Sequence, residues 1–167
     1  RYPCYNVDKI YLDSYPRAQT SEGSRFPAGK NALIDRLNVG SLILNYTGHG
    51  SETGWSNARI LEINDVANLN NSNRLQFWVT ATCEYGRHDD PELKSGAERL
   101  VGKVNSGAIG MFTSVRVVYS TPNATFNSNF YDFALKYDTS LSRYYYLGEI
   151  YQQTKNISYV NADAINS

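Results

Sequence analysis

The sequence predicts an α/β domain built around a largely parallel sheet. Three short runs, at residues 41–46, 75–81 and 107–112, have strand length and the near-continuous hydrophobicity of strands covered on both faces. Segments with helical period separate them, the alternation that parallel sheets require. The length of 167 residues suits one domain.

Taken in order, residues 7–12 (Val-Asp-Lys-Ile-Tyr-Leu) read as a first strand, and residues 14–27, rich in Gly, Ser and Pro, as a loop. Residues 31–38 place Leu33, Ile34 and Leu37 on one helical face, and Gly40 is positioned to end that helix. The run 41–46 leads into Gly48-His49-Gly50-Ser51. Residues 63–69 carry Ile63, Val66, Ala67 and Leu69 at helical spacing, and the run 75–81 delivers Thr82-Cys83-Glu84. A helix is expected at 95–103. The third buried strand is expected to continue through Thr113 toward Tyr119. Further helices are expected at 127–135 and 147–155. Residues 161–167 show no structural signal, and there is no internal repeat or low-complexity segment.

Composition excludes several classes. Sixteen Lys and Arg balance sixteen Asp and Glu, so the chain lacks the basic footprint of a nucleic-acid binder. No apolar run approaches the roughly 20 residues that span a bilayer. The chain begins at Arg1 without an initiator Met or signal peptide and is expected to be an excised piece of a longer protein. Its bias toward Tyr, Asn and Ser leans toward work outside the cytoplasm. Cys4 and Cys83 are numerous enough for one disulfide, but Cys4 reads rather as a small buried residue near a trimmed end.

Two of the predicted strands each end in a residue of catalytic type, His49 and Cys83. Parallel strands present their carboxyl ends on one edge, where ligands bind in open α/β folds, and neighbouring strands lie ~4.8 Å apart. A His and a Cys so placed suit thiol chemistry. A free thiol titrates near pH ~8.5, so an imidazole helps to generate the nucleophile and later protonates a leaving amine. Glycines on both sides of His49 permit close approach, and the amide N–H groups of Gly50 and Cys83 are candidate oxyanion-hole donors. Either residue alone is more often structural; the joint pattern is what points to chemistry. Metal binding would need further ligands at suitable spacing, and no Cys-x-x-Cys or His-x-x-x-His occurs. His88 reads as a solvated loop residue rather than a base, and Asp89-Asp90 is weak ground for a cation site. No metal or cofactor is expected.

A hydrophobic block followed by His-Gly, then another followed by Ala-Thr-Cys, resembles the caspase-like peptidase clan. Within it, residues 45–51 (Asn-Tyr-Thr-Gly-His-Gly-Ser) and 80–91 (Thr-Ala-Thr-Cys-Glu-Tyr-Gly-Arg-His-Asp-Asp-Pro) resemble the gingipain family. The similarity is greatest to its PorU-type branch, the surface sortase of the type IX secretion system in Bacteroidota. Residues 7–13 upstream, then 95–98, 107–110 and 116–123, extend the likeness over roughly 7–155.

The resemblance implies a caspase-like αβα sandwich with a mostly parallel sheet, and it makes residues 1–167 the C-terminal portion of the catalytic domain, an incomplete one. It implies hydrolysis through a thioester on Cys83 with His49 as partner, and a primary specificity pocket lined by Thr113, Ser114, Val115 and Arg116. It implies export to the outer membrane or cell surface. The expected partners are protein substrates and, for a sortase that removes C-terminal sorting domains, a lipopolysaccharide acceptor and secretion-system components. The family draws an acidic pocket residue and a His-orienting acid from upstream of Val7, so neither maps here. A general gingipain-like protease and a non-catalytic caspase-like binding domain are the alternatives.

Overall fold

The computed structural model describes residues 4–160. After a 3-10 turn at Leu12–Ser14, a polar hairpin joins β1 (Ala18–Thr20) to β2 (Gly23–Arg25). Helix α1 (Pro27–Val39) opens on a proline, whose missing N–H is harmless in a first turn. It ends at Gly40, where φ is +92° and an added Cβ would lie 2.7 Å from the Arg74 Cβ. Strand β3 (Ile43–Thr47) is followed by three two-residue strands, β4 (Gly50–Ser51), β5 (Gly54–Trp55) and β6 (Leu61–Glu62). Then come α2 (Ile63–Asn68), β7 (Gln76–Ala81), α3 (Gly96–Val101) and β8 (Ala108–Thr113). The described chain closes with α4 (Ser120–Phe133), a hairpin of β9 (Tyr137–Asp138) and β10 (Arg143–Tyr144), and α5 (Leu147–Val160).

The sheet that organises the molecule has the order β3-β7-β8 with every pairing parallel. Its central strand β7 is buried at all six positions, and the two-residue alternation of a strand divides those side chains between two cores. Trp78 packs with Leu37, Leu61, Val66 and Leu100, under α1, α2 and α3. Phe77 and Val79 point the other way, into Phe130, Ala134 and Ile150 of the α4–α5 layer. Helices therefore cover both faces, an αβα sandwich. Each large apolar side chain so buried contributes ~1.5–3 kcal/mol. Edge-to-face contacts of Phe112 with Phe77 (5.2 Å) and Phe130 (5.1 Å) fix the second core.

Several expectations are corrected. Residues 7–12 form no strand: among the described residues they have no ladder partner, and Val7 is 73% exposed. The expected loop at 14–27 holds the β1–β2 hairpin. Neither β3 nor β8 is buried on both faces; Asn45 and Ile109 face solvent, and only β7 fits that description. Strand β8 stops at Thr113, and α4 starts at Ser120 rather than 127, with Pro122 tolerated in its first turn because the N–H it lacks has no intrahelical partner there. The β4-β5-β6 sheet and the β9–β10 hairpin were not expected, since two-residue strands leave no periodic signal. Cys4 is exposed rather than buried, and both cysteines are free thiols. The tail at 161–167 lies outside the described residues.

One buried side chain pins the entry to β8. Asn71, fully buried, donates to the Gly107 carbonyl and accepts from the Gly107 N–H, both at 2.8 Å. Gly107 has φ +98°, and a Cβ there would sit 2.1 Å from the Leu100 carbonyl oxygen. Asn71→Ala leaves both Gly107 groups buried and unpaired. It should lower stability by about 2–3 kcal/mol in urea unfolding of the complete protein, and an effect under about 0.5 kcal/mol would contradict this role.

Candidate active site

Strands β3 and β7 are in register up to the pair Thr47↔Ala81, and the Gly48 N–H extends the ladder by donating to the Ala81 carbonyl at 3.1 Å. Each strand then runs on two residues, one to His49 and the other to Cys83. On the far side of β7, Thr80 pairs with Thr113 of β8. The carboxyl edge of one sheet thus carries His49, Cys83 and the start of the 113–116 segment, in that order.

The His49 loop is held through its backbone. The His49 carbonyl accepts from the Tyr46 hydroxyl at 2.7 Å and from the Ser56 N–H at 2.8 Å. The Tyr46 ring stacks parallel on Trp55 at 4.2 Å, and burial pushes its hydroxyl up to about 12, so it remains a donor at physiological pH. The imidazole itself is exposed. Gly50 touches the opposing loop: a Cβ there would lie 2.2 Å from Thr82 Oγ1. No residue but glycine fits between these loops without moving one of them.

Cys83 is partly buried, and its thiol donates to the Val118 carbonyl at 3.7 Å. The following residue, Glu84, takes φ +54°, which turns the chain sharply. Ser56 (+64°) and Arg59 (+53°) adopt the same unfavoured region beside the His49 loop, strain of the kind that gathers at functional sites. The turn after Cys83 is fastened to the segment after β8. Glu84 N–H donates to Arg116 O at 3.3 Å and Gly86 N–H to Ser114 O at 3.0 Å, and the Ser114 hydroxyl donates to the Thr82 carbonyl. Behind it, Tyr85 is buried, which drives its hydroxyl far above the usual tyrosine range. An ion pair of Arg87 with Glu52 at 2.5 Å bridges the Cys83 loop to the His49 loop.

Two cavities adjoin this edge. One, of about 570 Å³, is lined by Thr113 and Ser114 together with Ala81, Val118 and residues of α4 and α5. The other, of about 610 Å³, is lined by His49 and Gly50 with Glu22, Arg59 and Glu62. Val115 and Arg116 line neither: the Arg116 guanidinium is taken up by both oxygens of Asp89, outside the first cavity. Asp90 is paired with Arg87 at 3.5 Å. His88 is exposed, with Nδ1 3.1 Å from the Gly86 carbonyl oxygen. The residues that sequence reasoning missed are Tyr46, Thr82 and Val118. Tyr46 reads as one more apolar strand residue, and only its place three residues before His49 hinted otherwise.

Gly50→Ala should therefore displace the His49 loop without a large loss of fold. The expected result is a fall of about 100-fold in Cys83-dependent turnover or alkylation, partly recovered by adding Thr82→Ala, which removes the obstructing hydroxyl. Full activity in the single variant would show that the loops need not touch.

The geometry can be set beside known proteins. Gingipain R2 of Porphyromonas gingivalis is 43% identical over 54 residues, 32% of this chain and 7% of its own length. Lys-gingipain HG66 of the same species is 28% identical over 129 residues, 76% of this chain and 6% of its own. The crystal structure of the Arg-specific cysteine proteinase gingipain R superposes with a TM-score of 0.71 at 23% identity, covering 81% of this chain and 32% of that one. A complex of the pro- and mature domains of RgpB from Porphyromonas gingivalis gives 0.67 at 24% identity, with 77% and 31% covered. The fold is thus the caspase-like sandwich of the gingipains, and the chain spans about a third of the solved chains and less than a tenth of the curated relatives. The family model of peptidase family C25 matches residues 1–166, and the chain belongs to that family, the gingipain family of cysteine peptidases.

Proposed function

We propose that Cys83 and His49 form a Cys–His dyad that cleaves peptide bonds. The observation that carries this reading is the β3–β7 register, which brings the two strand ends level at one sheet edge. His49 takes the thiol proton, and the sulfur attacks the scissile carbonyl carbon. The resulting oxyanion is received by the amides of Gly50 and Cys83. Collapse breaks the C–N bond as His49 returns the proton to the leaving amine, leaving a thioester on Cys83. Water, or an acceptor amine, then attacks the thioester with His49 again as base, releasing the acyl group and restoring the thiol. In the resting state the thiol hydrogen is directed to the Val118 carbonyl, and productive chemistry turns it to His49.

Within this chemistry we favour a sortase of the PorU type, exported to the outer membrane or cell surface and acting on secreted proteins that carry C-terminal sorting domains. Lipopolysaccharide acts as acceptor and type IX secretion components as partners. The support is the likeness of residues 45–51 and 80–91 to that branch. The Arg- and Lys-gingipain relatives support the second reading, a general extracellular protease.

Two experiments separate these. In the complete protein, Cys83 should react with iodoacetamide or a peptidyl electrophile at least about tenfold faster than Cys4, and His49→Ala should slow that reaction selectively. Equal labelling, unchanged by the substitution, would make Cys83 an ordinary thiol. In the producing cell, Cys83→Ala should cause secreted proteins to accumulate with their sorting domains attached, at normal levels of the variant. Normal maturation with lost degradation of added protein would identify the general protease. Loss of neither would leave a binding domain.

A further inference from the structure

The run Arg87-His88-Asp89-Asp90 reads in the sequence as a solvated loop of mixed sign. In the fold its charges are engaged. Asp89 takes the Arg116 guanidinium of the segment after β8, and Arg87 stands between two carboxylates. Its Nη1 lies 2.5 Å from Glu52 Oε1 and its Nη2 3.5 Å from Asp90 Oδ2. Glu52 belongs to the His49 loop, so the first of these contacts joins the loops that carry the two halves of the dyad. The ladder that sets β3 against β7 ends with the Gly48 N–H on the Ala81 carbonyl. His49 and Cys83 lie beyond it, where bonds made by the loops themselves decide how the two residues stand to one another.

Both partners of the Glu52–Arg87 contact arrive already anchored. The Glu52 carbonyl accepts from the Gly96 N–H at 2.7 Å, at the start of α3. The Arg87 N–H donates to the Glu84 carbonyl at 3.0 Å, closing the turn that follows Cys83. Asp90 is fixed by the N–H groups of Glu92 (2.9 Å) and Leu93 (3.2 Å), both on its Oδ1, which leaves Oδ2 for Arg87. An exposed ion pair is worth little because two long side chains must be ordered to make it. Here the backbone has done much of that ordering, and the side chains of Glu52 and Asp90 are only 22% and 20% exposed. The rigid fork of a guanidinium suits a site with a carboxylate on either side. A misplacement of about 1 Å at the reacting groups costs about 100-fold in rate, and this tie lies three residues from His49 and four from Cys83. We propose that Arg87 is a positioning residue: by gripping Glu52 it holds the His49 loop against the Cys83 loop and so sets the approach of imidazole to thiol. This rests on the dyad reading above, and Arg87 acts through His49 rather than on the substrate.

The test is a double-mutant cycle in the complete protein, read as the rate of Cys83 alkylation by iodoacetamide. His49→Ala first measures the share of that rate that the imidazole supplies. Arg87→Met, which keeps the apolar stem and removes the fork, should slow alkylation at least about threefold with the circular dichroism of the parent protein retained. Glu52→Ala should do the same from the other side of the contact, and it decides the matter should Arg87→Met not fold. In the His49→Ala background either substitution should change the rate by less than about twofold, because the residue being positioned is gone. A merely structural role would add its loss there as well. A smaller loss in the single variants, or a larger one in the His49→Ala background, overturns this inference while leaving the dyad standing. Alkylation of Cys83 that His49→Ala does not slow overturns both.

Discussion

The parallel pairing of β3 with β7 is the constraint on which the rest of the site depends. A parallel ladder fixes register along its whole length, so the five paired positions from Ile43↔Phe77 to Thr47↔Ala81 determine which residues emerge level at the carboxyl edge. A slip of one residue would turn every β7 side chain to the opposite face. Trp78 would be driven into the α4–α5 layer, and Phe77 and Val79 into the layer that Trp78 now fills. Two separately packed cores therefore lock the same register. Positioning of the His49 and Cys83 loops is in this sense a by-product of hydrophobic burial several residues away.

Beyond the last paired residues, packing gives way to local bonding. The His49 side is held at its carbonyl by Tyr46 and Ser56, and the Cys83 side is sewn to the segment after β8 by Glu84, Gly86 and Ser114. Neither of these fastenings uses the imidazole or the thiol, and the thiol makes a separate contact with the same segment by donating to the Val118 carbonyl. The glycine at position 50 belongs to the same logic. It is required by the Thr82 hydroxyl opposite it, so the two loops constrain each other directly.

Much of this was legible in the sequence because the sheet strands are long enough to show a pattern. The run 75–81 reads as a strand covered on both faces, and β7 is that strand. The run 41–46 was read in the same way, yet Asn45 faces outward and bonds to Asn127 at 2.7 Å; a single polar residue in an apolar run does not announce its side. The β4-β5-β6 sheet and the β1–β2 hairpin were invisible because strands of two or three residues are too short to show a period, even where, as at Trp55 and Leu61, they bury apolar side chains. The first turns of α4 were missed because Ser-Thr-Pro-Asn reads as loop chemistry, although each of those residues is acceptable where N–H groups need no helical partner. At the candidate site, residue types singled out His49 and Cys83, whereas the contacts of Val118 and Tyr46 exist only once the chain has folded.

The bridge between Glu52 and Arg87 gives the site a dependence on its ionic surroundings. Glu52 lies three residues after His49 and Arg87 four after Cys83, and the Glu52 carbonyl also accepts from the Gly96 N–H at 2.7 Å at the start of α3. The contact is short and both side chains are partly shielded, so ordinary salt weakens it less than it would a fully exposed pair. Brine acts differently, by screening the pair, and would slacken the tie between the two loops while both cores stay packed. Loss of function in such media would then precede loss of structure.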